Sequence, residues 1–247
     1  MNMRLMPTYQ NHLKDWVKGL VILYSVLVGI FILATIFIAV SVDQGHPSFE
    51  GMEFVSQIFL VVAGITFFKP NLKLALANGI SRRTEFVVTM LAALTVGAVC
   101  MVLNDGVNLL YGTVYPTESA FYMTYSGFNF ANQAAYYLTK VAYDILGNFF
   151  CFVVGYFIGA LYYRMNRALK IAVSIGVPVL FSSAAGIAGF LSFRSEFWRD
   201  LFAWAFETIA RIYANPYSYL LATILVHALL IFFSYLLIRT APIKEQG

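Results

Sequence analysis

VAYDILGNFFCFVVGYFIGALYY, residues 141–163, carries Asp144 as its only charged side chain. Wound as an α-helix rising ~1.5 Å per residue, this stretch reaches about 34 Å, enough to cross the ~30 Å hydrocarbon layer of a bilayer. Five more stretches have the same character, at 17–42, 54–68, 86–110, 171–193 and 217–238. The second of these spans only about 22 Å as a helix, so it must thin the bilayer, begin before Phe54 or be partly re-entrant. Composition agrees: 60% of the 247 residues are hydrophobic and 11% are charged, against roughly 25% charged in a soluble domain. The reading is an all-α polytopic membrane protein of about six transmembrane helices. It forms a single membrane domain over 1–247, with no internal repeat and no linker. The first apolar run exceeds the ~7–15 residues of a secretory h-region, so it reads as a span that is retained.

Orientation follows from the cations. With the N-terminus inside, the inner segments hold Arg4, Lys14, Lys18, Lys69, Lys73, Arg82, Arg83, Arg164, Arg167, Lys170, Arg239 and Lys244. Of the chain's 16 Lys and Arg, that leaves Lys140, Arg194, Arg199 and Arg211 outside. The bias places both termini in the cytoplasm. It also accounts for the net charge of +4 without nucleic acid, because no basic stripe with interleaved aromatics is present.

Chemistry-bearing patterns are sparse. His12, His46 and His227 are scattered, Cys100 and Cys151 lie in apolar runs, and no metal-ligand, Ser/His/Asp, HExxH or paired-carboxylate spacing occurs. No Gly-x-x-x-x-Gly-Lys-Ser/Thr loop is present, so the chain is read as a non-enzyme without cofactor or metal.

Polar residues inside the spans are Asn104, Asp105 and Asn108 in the third and Asp144 and Asn148 in the fourth, all toward the outer side. Such groups are costly in lipid and face protein or water. Lys140, one turn before Asp144, is placed to neutralise it or Asp105. Gly147, Cys151, Gly155 and Gly159 recur every fourth residue, a seam that lets another helix backbone approach closely. Ser182, Ala185, Gly186 and Gly189 form a similar stripe in the fifth span, which Gly176 and Pro178 should bend.

Residues 3–18 space Met6, Tyr9, Leu13 and Trp16 as one face of a helix lying in the inner interface, with Trp16 at headgroup level. Residues 194–216 alternate aromatic and charged side chains, an amphipathic segment of the outer leaflet. The loop at 69–85 reads KPNLKLALANGISRRTE. Pro70 suits the first turn of a short helix, Asn78-Gly79 its stop, and Ser81 the N-cap of the third span. Arg82 and Arg83 then stand in a first turn, where the helix dipole disfavours them. Topology, anionic headgroups or an acidic partner must account for them.

The run from Phe68 to Phe86, with its Asn-Gly-Ile-Ser-Arg-Arg-Thr core, resembles the cytoplasmic loop of ABC-2 type permeases, the membrane subunits of bacterial ATP-binding-cassette exporters. The resemblance implies that 69–85 forms a coupling helix resting on an ATPase, with Lys69, Asn71, Lys73, Asn78, Ser81, Arg82 and Arg83 at that contact. It implies an N-terminal helix touching the same ATPase and a pair of short helices before the last span. It further implies two copies of a separate ATPase that bind ATP and magnesium, and a second permease copy or paralogue. The location implied is the bacterial cytoplasmic membrane, surrounded by lipid. The expected function is alternating-access export of a hydrophobic or amphipathic cargo such as a membrane-active peptide, toxin or antimicrobial. Two alternatives stay open, a non-transporting scaffold or sensor partner, and an ion-coupled carrier using Asp105 and Asp144.

Overall fold

The computed structural model of the protein describes residues 5–40, 49–50, 53–114 and 117–240. Arg4, His46 and Lys244, used above in the readings of topology and histidines, lie outside them. Eight helices are described: α1 Leu5–Val40, α2 Glu53–Ala77, α3 Arg82–Gly112, α4 Ala120–Tyr125, α5 Gln133–Arg164, α6 Arg167–Arg194, α7 Glu196–Ala214 and α8 Pro216–Arg239. Two short segments, β1 Phe49–Glu50 and β2 Thr117–Glu118, pair in parallel between them. Five helices are long and apolar enough to cross a membrane, over Met6–Leu33, Glu53–Ala77, Arg82–Gly112, Gln133–Arg164 and Pro216–Arg239. The architecture is an all-α one of the polytopic kind.

Local chemistry sets the helix ends. Ser81 has extended backbone, and its Oγ accepts the Thr84 N–H at 3.1 Å to open α3. Asn132, Asn166 and Asn215 cap α5, α6 and α8 in the same way, and Pro216 stands at the first position of α8, where a missing N–H costs nothing. At the end of α2, Gly79 takes φ 67°, the Ile80 N–H returns to Ala75 O at 2.8 Å and the Gly79 N–H to Leu76 O at 3.1 Å. This is the paired closure that needs a left-handed residue after a helix.

Three expectations change. No separate interfacial helix precedes the first span, because residues 5–40 form one helix of 36 residues, about 54 Å long. Trp16 is buried, with its ring 5.1 Å from Phe67 and 5.3 Å from Phe152. Nor is there a separate coupling helix. Pro70 lies inside α2, which runs its 25 residues from Glu53 to Ala77 without interruption. The short second span is thereby resolved, since the helix begins before Phe54 and continues past Phe68. The outer amphipathic segment is one 19-residue helix, α7, with no buried residue, in place of a pair of short ones.

The core is built around α5. Along its seam, a Cβ on Gly155 would overlap the Val61 carbonyl, and one on Gly159 would lie 2.9 Å from Ile65 O. From the facing helix, a Cβ on Gly64 would overlap Phe152 O. The α2 and α5 backbones therefore touch, as small-residue faces allow. Around them pack Phe68, Phe86, Phe152 and Tyr156 from α2, α3 and α5. The other small-residue stripe differs: nothing lies within 4 Å of a Cβ placed on Gly176, Gly186 or Gly189 of α6.

This asymmetry gives a test. Gly155→Val should cost on the order of 3 kcal/mol through overpacking, read as a fall in the thermal midpoint of the purified protein in detergent. Gly186→Val should leave that midpoint within a degree or two.

Candidate functional site

Four helix ends meet on one side of the bundle, which we call the basic end. The start of α1 joins the start of α3 through His12 Nε2, 3.1 Å from Glu85 Oε1 with both side chains buried. Tyr9 and Thr95 hydroxyls, 2.7 Å apart, add a second tie. The end of α8 joins them through Arg82, whose Nη1 donates to Arg239 O at 3.0 Å. Arg164, closing α5, donates to Leu237 O at 3.3 Å and to Thr240 Oγ1 at 2.7 Å. The last carbonyls of α8 lack helical donors and carry the negative end of its dipole, so two guanidinium groups satisfy them.

These contacts reassign part of the expected coupling set. Arg82 is engaged by α8, which explains a cation in an unfavourable first turn. Ser81 is a helix cap. Asn71 braces its own helix: Pro70 deprives Thr66 O of its helical donor, and Asn71 Nδ2 donates to Phe67 O beside it at 2.9 Å. Lys69, Asn78 and Arg83 are exposed and Lys73 is half-buried. Asn71 and Asn78 also line a polar notch of about 60 Å³ with Thr8, Asn11, His12 and Asp15 of α1. The α2–α3 corner and the first turns of α1 thus form one continuous surface.

At the opposite end the polar residues of α3 and α5, expected as one cluster, fall into three groups with Asn148 apart from them. Lys140 Nζ lies 2.6 Å from Asp105 Oδ1 and 2.9 Å from Asp144 Oδ2, and the lysine and Asp144 side chains are only 13% and 10% exposed. Asn104 donates to Ser56 Oγ at 2.9 Å and accepts the Tyr24 hydroxyl at 2.6 Å, joining α1, α2 and α3. Asn108 donates to Glu53 Oε1 at 2.9 Å. Asn148 stands apart, donating to Gly97 O at 3.1 Å where α5 crosses α3. Of the small-residue seam, Gly155 and Gly159 abut α2, Gly147 faces the Gln57 amide, and Cys151 is half-buried and free.

Above this network, α4 tucks Phe121 wholly inside a ring of Tyr125, Phe130, Tyr136 and Tyr143. Tyr143 in turn contacts Tyr219 of α8, whose ring meets Tyr213 of α7. Among the described residues no group of three or more His, Cys, Asp or Glu could hold a metal ion.

Glu53, Ser56, Gly64 and the His12–Glu85 pair do not figure in the sequence reading of the site. Glu53, Ser56, Leu60, Gly64, Phe68, Leu72 and Ala75 are the buried residues of α2. Their steps of three and four are the signal that would have revealed both the helix and its polar start.

No family model, curated protein or solved structure matches the chain.

Removing one member of the Lys140 group leaves buried charge without a partner, a loss of about 3–5 kcal/mol for a well-buried pair. Lys140→Met should therefore lower the thermal midpoint in detergent sharply. Adding Asp105→Asn and Asp144→Asn should restore most of it.

Proposed function

We infer that the chain is the transmembrane subunit of an ATP-driven exporter, worked by a separate ATPase that engages the α2–α3 corner. The single observation that carries this reading is the corner itself. Exposed Lys69, Asn78 and Arg83 stand at the end of a helix that continues unbroken to Glu53. A push on such a corner cannot be absorbed by a loop. It moves α2 as a rod about 37 Å long, and the glycine contacts oblige α5 to follow or to slide.

In this reading six helices cross the bacterial cytoplasmic membrane. α5 and α8 both end at the basic end, so α6 must carry the chain to the other side, where α7 leads into the start of α8. The basic end, where ten of the twelve inner cations counted above lie among the described residues, faces the cytoplasm. Two such subunits and two ATPases alternate between inward and outward openings. ATP and magnesium reside on the ATPases, and the Lys140 and Glu53 networks hold the outer gate. Cargo is hydrophobic or amphipathic, met by lipid-facing surfaces such as the apolar cavity of about 230 Å³ among Phe150, Ile209, Tyr213 and Val226. Because Lys140 occupies both Asp105 and Asp144, these carboxylates are poorly suited to carry a coupling ion, which weighs against an ion-coupled carrier.

Affinity-tagged chain expressed with its native neighbouring genes should co-purify an ATPase. Lys69→Glu with Arg83→Glu should remove most of that ATPase while leaving the thermal midpoint unchanged, since neither side chain is buried. Wild-type chain that brings down no ATPase overturns the reading.

A further inference from the structure

The face of α1 turned away from α5 has a feature that transport does not use. A furrow of about 660 Å³ lies between α1 and α3, walled by Val21, Val28 and Ile32 on one side and Val99 and Leu103 on the other. It opens sideways, where a bilayer would be, and its α1 wall runs from Val17 to Ile32, about 22 Å along the helix axis. Its lining is apolar apart from Ser25 and the Tyr24 hydroxyl, a surface along which a hydrocarbon chain can lie.

The charges above the furrow are in register with it. At 3.6 residues per turn, Lys14, Lys18, Val21, Ser25, Val28 and Ile32 follow one another at steps of three or four down a single stripe of α1. Both lysines are exposed and neither forms an ion pair among the described residues. Asp15, the nearest acid in sequence, points instead into the notch beside His12. Lysine stems lie along apolar surface while the ammonium reaches the headgroup layer. Basic residues at that level attract anionic lipid.

We propose that this furrow is a binding site for an anionic phospholipid, one acyl chain lying between α1 and α3 and the phosphate resting on Lys14 and Lys18. The headgroup supplies the selectivity and the furrow supplies the residence. The site stands on α1 and α3 geometry alone and does not depend on the ATPase reading.

Native mass spectrometry of the full chain in detergent, titrated with phosphatidylglycerol or with phosphatidylcholine of identical chains, tests it. Wild type should hold one phosphatidylglycerol more tightly than any phosphatidylcholine. Lys14→Gln with Lys18→Gln should weaken that one site about 30-fold, the effect of two headgroup-level lysines. Gly29→Trp fills the furrow from a position where a Cβ meets nothing within 4 Å. It should abolish the tight site with both lysines intact and without lowering the thermal midpoint. Equal binding of the two lipids by wild type overturns the proposal, as does undiminished phosphatidylglycerol retention in either variant or a second copy of the chain held in place of the lipid.

Discussion

Backbone contact between α2 and α5 is the constraint on which the rest of the structure depends. Lipid supplies no hydrophobic force to press helices together, so association rests on close packing and a few hydrogen bonds. Gly64, Gly155 and Gly159 remove the side chains that would hold the two helices apart. With α2 seated there, Phe68 reaches Tyr156 and Tyr163, and Trp16 reaches Phe67 and Phe152. Through those rings α1 is drawn onto the same core.

Polar interactions then fix the two ends of a bundle that the seam has assembled. At the basic end Arg82 and Arg164 take up the last carbonyls of α8, and His12 ties α1 to Glu85. At the other end Lys140 gathers Asp105 and Asp144, while Asn104 links Tyr24 to Ser56. These groups stand toward the two ends, and between them the bundle is held by packing and by the Asn148 bond to Gly97 O.

The apolar spans, the Ser81 cap, the Gly79 turn, the glycine seam and the Lys140 pairing were legible in the sequence because each is local. They depend on neighbours three or four residues away or on the thickness of lipid. What was not legible has a common cause: hydropathy reports where lipid ends, and helices do not end there. α1 and α2 both run on into polar sequence, past Trp16 in one case and past Pro70 in the other. Proline was read as a helix start, yet Asn71 supplies a hydrogen bond beside the carbonyl that Pro70 leaves bare. Arg82 looked like a free cation because its acceptor is a main-chain carbonyl 157 residues later, for which no side-chain pattern exists.

Cross-linking measures the central contact most directly. In a background with Cys100→Ala and Cys151→Ala, the pair Gln57→Cys and Gly147→Cys places thiols where the Gln57 amide now lies 3.4 Å from a Cβ built on Gly147. A short bifunctional thiol reagent applied in native membranes should join this pair within one chain. It should not join Gln57→Cys to Gly186→Cys on α6. Failure of the first pair, or equal yield from the second, would contradict an account built on α2 lying against α5.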